Sequence, residues 1–301
     1  MATKAVLILG GSGFIGTHLA LRLRDYYKVF ATYFTNKYSV PGTTYIPFSI
    51  ENKLWIKRIL HTIQPDAIIY LIGSNDLAWV DKKPRLAESL HSIGPGALVN
   101  PSELNQPQVI YISNPYVFDG TKGNYKELDI IMPNSVMGRV KIEGENLIKS
   151  KLFNYVIVRS SPLFGRGNGL GLTFFDRLRM ALSTQQRHYA LQQEIHSFAP
   201  VQGLTEAIHR IIELGIRNKT LNYGGITKVS HFEFARLFAK HFKLNPALVT
   251  PRKLGAKSTF DQNLTLDFSL NSSATTELLK IKPLLLEESF DLINQNLIPT
   301  A

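Results

Sequence analysis

The chain has 301 residues, 44% of them hydrophobic, with a formal charge of +11 and no cysteine. That length and apolar content suit one sizeable core with a smaller lobe and exclude a disordered or fibrous chain. Without cysteine there are no disulfides, thiolate metal sites or cysteine nucleophile. The eight histidines fall in no ligand spacing, so no metal site is expected.

The longest apolar runs, 5–9 and 67–72, fall well short of the roughly 20 residues that cross a bilayer. No basic segment leading into a long apolar stretch opens the chain. A cytoplasmic protein without membrane contact is therefore expected. The positive charge is dispersed, as at Arg22, Arg24 and Lys28, and reads as a solvated surface. The sharper alternative is attraction of a small polyanion such as a nucleotide phosphate, and nucleic acid is disfavoured as a partner.

Short apolar runs alternate with helical patterns through the first half, which predicts βαβ units and a Rossmann-type, doubly wound parallel sheet. Residues 5–9 form a first strand, and Ile15, Leu19, Leu21 and Leu23 carry the chain into a helix. Residues 29–33 and 43–46 read as the next strands, 51–63 as a helix and 67–72 as a buried fourth strand. A helix over 84–99 must break or kink at Gly94, Pro95 and Gly96. Residues 109–113 and 155–159 complete six strands, separated by a helix whose core spans 141–147.

After Phe164 the glycines at 165, 167, 169 and 171 predict a flexible connection and a domain seam. Helices follow at 174–182, 207–214 and 232–242, with a short strand at 220–223. The expected organisation is a dinucleotide-binding domain over 1–165, to which about 200–225 returns. A smaller C-terminal α/β substrate lobe spans 166–301.

Between the first strand and helix stands Gly10-Gly11-Ser12-Gly13-Phe14-Ile15-Gly16. Gly10 permits the tight turn, Gly13 lets the backbone approach a pyrophosphate, and Gly16 lets the helix pack on the strand. The helix N-terminus then faces the phosphates, with Phe14 and Ile15 in its first turn. A tight turn that binds nothing is the plainer alternative. A site that prefers NAD places an acidic residue about 20 positions on. Residues 26–50 contain none, whereas Tyr33, Thr35, Asn36 and Lys37 supply donors and one positive charge, which favours NADP while admitting NAD.

Further motifs occupy most of the chain: SNPYVFDG over 113–120, Glu127 and Asp129 followed by Pro133, MGRVKIEGE over 137–145, VRSSPLFG over 158–165 and VSHFEFA over 229–235. With the glycine loop, these resemble the extended short-chain dehydrogenases, specifically the dTDP-4-dehydrorhamnose reductase branch and its relative, the regulatory β subunit of methionine adenosyltransferase. The resemblance implies a catalytic Tyr and Lys in a YxxxK arrangement, which falls on Met137 and Lys141. It also implies Thr at Asn114 and Asn at His91. Ser113 neighbours Asn114, but adjacent strand residues point to opposite faces, so it is a poor substitute.

In the family the Tyr hydroxyl gives the proton that a hydride-reduced ketone needs, Lys lowers its pKa, and the Ser or Thr hydroxyl binds the carbonyl oxygen. A thioether has no proton to give. Lys141 retains the capacity to bond the nicotinamide ribose. Tyr116, His188 and His196 are conceivable substitute donors. A packing role is favoured for the tyrosine, and surface positions for both histidines. Ile72 beside Gly73 alters the expected small-residue wall near the nicotinamide. The resulting expectation is an NADP(H)-binding, regulatory or non-catalytic relative, open to a nucleotide-sugar-like ligand and to a protein partner. The alternative is an active NADPH-dependent reductase of a nucleotide-linked 4-keto sugar with a displaced proton donor.

Overall fold

The computed structural model describes residues 3–98, 106–253 and 265–295. Its first half runs β1 (Ala5–Leu9), α1 (Phe14–Leu23), β2 (Lys28–Tyr33), β3 (Thr43–Pro47), α2 (Lys53–Ile63), β4 (Ala67–Tyr70), α3 (Leu77–Lys82), α4 (Pro84–Glu88), α5 (Gly94–Gly96), β5 (Gln108–Ser113), α6 (Val136–Lys151) and β6 (Tyr155–Ser160). Then follow β7 (Leu163–Phe164), α7 (Phe174–Ser183), β8 (His188–Leu191), β9 (Glu194–His196), β10 (Ala199–Pro200), α8 (Val201–Glu213), β11 (Lys219–Tyr223), β12 (Val229–Ser230), α9 (His231–His241), β13 (Val249–Arg252), β14 (Leu266–Asp267), α10 (Ser273–Leu279) and α11 (Leu286–Gln295).

Seven parallel strands form the main sheet in the order β11-β6-β5-β4-β1-β2-β3. The order reverses between β1 and β4, the topological switch point where open α/β sheets bind ligands. Apolar strands such as AIIY in β4 are buried on both faces because separate helix-backed cores cover them, one containing Val6, Ile8 and Leu204, the other Leu7, Tyr70 and Ile157. Residues 219–223 pair with β6 and so rejoin the sheet as its seventh strand. A third core, rich in phenylalanine, packs Phe175, Leu178, Phe234, Phe238 and Phe290 between α7, α9 and α11.

The helix predicted over 84–99 breaks one turn before its Gly-Pro-Gly, and Val99 lies outside the described residues. Residues 89–93 form a π-helical turn. Pro95 has no N–H for the His91 carbonyl four residues earlier. The buried Tyr111 hydroxyl donates to that carbonyl at 2.8 Å, and Tyr70 donates to Leu90 O at 2.6 Å. Helix α8 begins at Val201, six residues before the predicted start, because Gly203 inside it allows close approach: a Cβ there would lie 2.0 Å from the Tyr223 hydroxyl.

Arg159 and Glu145 form a buried two-pronged ion pair, Nε and Nη2 donating at 3.0 and 2.8 Å, which locks α6 onto β6. Glu127 accepts from the Asn222 N–H and from Thr275, while Asp129 pairs with Lys122. Among the described residues, no helix is long and apolar enough to cross a membrane.

Candidate functional site

Gly10 has φ +86° and donates its N–H to Thr32 Oγ1 at 2.9 Å, turning the chain sharply out of β1. A Cβ at Gly16 would stand 2.4 Å from Gly10 O, so helix and loop touch backbone to backbone. Gly11 is under the same constraint, since its Cβ would meet that of Ala31 at 2.5 Å, a requirement the spaced motif does not reveal. Gly13 differs: a Cβ would find only Gly10 O, at 3.3 Å. Its residue caps α1 with no side-chain bond, which leaves the helix's first amides facing outward.

Residues 165–171 are anchored, contrary to the expected flexible connection. Asn168, buried, donates through Nδ2 to Ser12 O at 2.9 Å and to Thr17 Oγ1 at 2.8 Å, and His18 bonds Arg166 O. The Asp176 carboxylate accepts from the Gly167 and Thr173 amides and completes a capping box on α7. Glycine supplies the path of this strap, and polar side chains fix it over the loop.

Two joined hollows result. One, of about 600 Å³, lies between Ser12, Gly13, the 34–36 segment, Ser74–Asp76 and the strap. The other, a cleft of about 810 Å³, extends past Phe14 and Ile15 to Ser113, Asn114, Tyr116, Ser160 and Ser161, and across to His188, Glu194, His231 and Arg252. Phe14, Asn75, Asp76, Leu163, Phe174 and Arg177 border both.

The structure brings together some of the predicted residues. Phe14, Ile15 and Asn114 line the cleft, and Gly13, Phe14 and Asn36 line the smaller hollow. Tyr33 is half-buried at the end of β2 and Lys37 is exposed beside Asn36; neither is among the lining residues. Phe34, 72% exposed, lines the hollow and was not anticipated from the sequence. Asn114 accepts the Tyr116 N–H on Oδ1 at 3.2 Å, which turns its Nδ2 away, buried and without a protein partner. Ser113 Oγ is likewise buried and unpartnered. Both line the cleft, because Asn114 lies just past the end of β5, where strand alternation no longer applies.

Met137 is 0% exposed and packs with Val80, Ala87, Leu77, Trp79 and Tyr116. Lys141, buried one turn along α6, donates from Nζ to Ile112 O at 2.8 Å. Burial depresses its amine to about 7 against the pull of Glu145. Neither residue is among those lining the cleft. His91 is buried, bonds Ser74 O at 2.9 Å and packs on Gly73, where a Cβ would lie 2.2 Å from the ring's Cε1. Burial, with help from the Lys141 charge, pushes this imidazole down to about 3.

The histidines weighed as donors are not surface residues. His196 is 0% exposed, and its Nε2 meets Glu194 Oε1 at 2.7 Å; His188 is half-buried in the cleft wall. Glu194 Oε1 also accepts the Tyr116 hydroxyl at 2.6 Å, joining the main-sheet segment to β9. Burial works to raise the Glu194 carboxyl, but the bonds from His196 and Tyr116 and the neighbouring His196 and His231 hold it at about 2. Burial and the Glu194 charge raise the Tyr116 phenol well above its usual range. Among the described residues, no group of acidic or histidine side chains could hold a metal.

The RmlD substrate binding domain model matches residues 4–263. The chain belongs to this family. A dTDP-4-dehydrorhamnose reductase from Aggregatibacter actinomycetemcomitans is 29% identical over 237 residues, 76% of each chain. Methionine adenosyltransferase 2 subunit beta from Pongo abelii is 26% identical over 65% of this chain and 60% of its own. Among solved structures, dTDP-4-dehydrorhamnose reductase from Bacillus anthracis in complex with NADP superposes with TM-score 0.80 at 21% identity, covering 98% of this chain and 99% of its own. The same organism's dTDP-glucose 4,6-dehydratase in complex with NAD gives TM-score 0.78 at 14% identity, covering 97% of both. These two solved structures thus share the Rossmann-like fold found here.

Proposed function

We propose that this chain is an NADP(H)-binding member of the family that does not reduce ketones by the tyrosine route and serves as a binding or regulatory protein. The observation that carries this reading is the seat of Met137 in an apolar cluster, behind the cleft-lining Leu77 and Tyr116. A phenol there would have to serve as general acid, a contribution of roughly 10²–10⁴ in rate; methionine contributes none. Lys141, which gives one of its N–H groups to Ile112 O, stands where the resemblance implies the family's lysine, without the tyrosine it would tune.

The residues present fit a dinucleotide. Gly10 and Gly16 shape a loop that no side chain could enter, the α1 amides are uncapped, and Asn36 and Thr35 offer donors on a segment, 34–36, that carries no carboxylate; the acidic residue among those lining the hollow is Asp76. When bound, a nicotinamide group would supply hydride chemistry. Gly13, Phe14 and Asn168 would set its depth, and Asn114 and Ser113 would offer donors to an acceptor oxygen in the cleft. NADP-bound and NAD-bound relatives of the same fold support the choice of cofactor class. The division into 1–165 with 200–225, and the remaining residues as substrate lobe, belongs to this proposal, as do a cytoplasmic location and a protein partner. The last is supported by a relative that is itself a named subunit.

Tyr116 favours a second reading, an active reductase of a nucleotide-linked 4-keto sugar, because its ring lines the cleft. Its phenol proton, however, is committed to Glu194. NADPH titration by fluorescence, paired with an NADPH-oxidation assay on dTDP-4-keto-6-deoxy sugars, separates the two. Micromolar binding without oxidation is expected, and steady turnover by the unmodified protein refutes the non-catalytic reading.

A further inference from the structure

We infer that Arg177, on the first turn of α7, is a phosphate-binding residue that completes the dinucleotide site from the far side of the seam; the inference rests on the cofactor reading above. Arg177 and Asp76 are the charged residues among those lining the smaller hollow, so Arg177 is its cation. A dinucleotide carries a diphosphate across that hollow, and helix amides alone offset only part of such charge. A guanidinium is suited to the remainder because its N–H donors form a fork matching two phosphoryl oxygens.

The position of Arg177 is set by a continuous chain of contacts from the glycine loop. Asn168 holds the strap on Ser12 and Thr17, Asp176 holds Gly167 and Thr173, and Arg177 Nη1 donates to Leu172 O at 2.7 Å. One of its five N–H groups is used there, and the guanidinium is kept at the border of both hollows. It also lies near enough to His188 to add to the burial that lowers that imidazole. A phosphate bound by Arg177 would therefore tie the phenylalanine-rich core to the Rossmann sheet through the ligand itself. No sequence motif points to this, since residue 177 lies far along the chain from Gly16 and belongs to no glycine motif.

The test is NADPH affinity of the full chain, measured by fluorescence across a salt series, for the parent, Arg177→Gln and Arg177→Lys. Arg177→Gln is expected to weaken NADPH about tenfold and to flatten the salt dependence, with Arg177→Lys between the two. Inorganic pyrophosphate should compete NADPH from the parent more effectively than from Arg177→Gln. Unchanged affinity in Arg177→Gln overturns the inference and leaves the glycine-loop reading intact. A loss of affinity with the parent's salt slope retained overturns it too, because that result marks distortion of the strap. A parent that binds no NADPH removes both readings.

Discussion

The two ends of the cleft differ in what holds them. Around the glycine loop, backbone atoms pack so closely that Gly10, Gly11 and Gly16 are imposed by sterics, and the strap adds anchored polar contacts. Around residue 137 an apolar side chain fills the space beside α3 and α4, while Ser113 Oγ and Asn114 Nδ2, on residues that line the cleft, lack protein partners. The loop end is thus fixed by backbone sterics and the residue-137 end by apolar side-chain packing; in the proposed function the first serves cofactor binding and the second marks the missing general acid. The contrast separates cofactor retention from turnover, and each half can be broken alone.

The largest effects are expected at the loop. Gly16→Val places a side chain into Gly10 O and the Gly11 backbone, and should both abolish NADPH binding and lower stability by about 3 kcal/mol or more through overpacking. Gly13→Asp brings its Cβ to 3.3 Å from Gly10 O, a tight approach that a small shift of the loop relieves, so the melting temperature should fall much less than in Gly16→Val while NADPH affinity falls at least about a hundredfold, as the carboxylate meets the diphosphate. Thermal melts beside fluorescence titration check both. Equal damage to stability by the two variants would erase the distinction drawn between a glycine that shapes the loop and one that admits the ligand.

Next in size are pH effects on stability. The Lys141 amine, depressed by burial to about 7, takes up a proton less readily in the fold than in the unfolded chain. Between about pH 7 and the ordinary lysine range near 10.5 the unfolded state holds more protons, so stability should rise with pH across that window and level off below it. Lys141→Met should remove the rise, read as the pH dependence of the urea midpoint. His91, pushed down to about 3, acts on the acid side: stability should fall as pH drops from 6.5 toward 3, and less steeply in His91→Gln. A parent curve that is flat from pH 7 to 9.5 would place the Lys141 amine in water rather than on Ile112 O.

How much of this could be read in advance follows the same division. Gly10 and Gly16 were legible because a steric demand on the backbone is recorded as glycine at fixed spacing, Gly13 because the same spacing marks where a diphosphate would approach, and the parallel strands because burial on both faces writes an unbroken apolar run. The seat of His196 was not legible. Strand β9 is three residues long, too short to show a period, and the bond from Tyr116 to its Glu194 spans 78 positions. The strap read as loose for a related reason: glycine content reports conformational freedom, whereas its anchoring depends on Asn168 reaching Ser12, 156 residues away. Phe34 and Arg177 line the ligand hollow without belonging to a recognisable motif, so only the folded chain brings them to it.

The smallest expected signal is also the sharpest division between the two ends. Met137→Tyr with Asn114→Thr returns the phenol and hydroxyl that the family resemblance implies, on a helix where Lys141 already lies one turn on. The new ring must fit among Val80, Ala87 and Trp79, and burying its hydroxyl without a partner costs about 1–3 kcal/mol, so a lowered melting temperature is expected first. Turnover requires more: the phenol must reach past the cluster into the cleft, and Lys141 must offer it one of the N–H groups not given to Ile112 O. NADPH oxidation with a dTDP-4-keto-6-deoxy sugar should therefore be detectable in the double variant but remain below about a hundredth of the rate a general acid can contribute. If the double variant instead reaches full reductase rates with no loss of stability, the apolar packing of residue 137 is no barrier, and the loss of two hydroxyls is the whole difference between binding and catalysis.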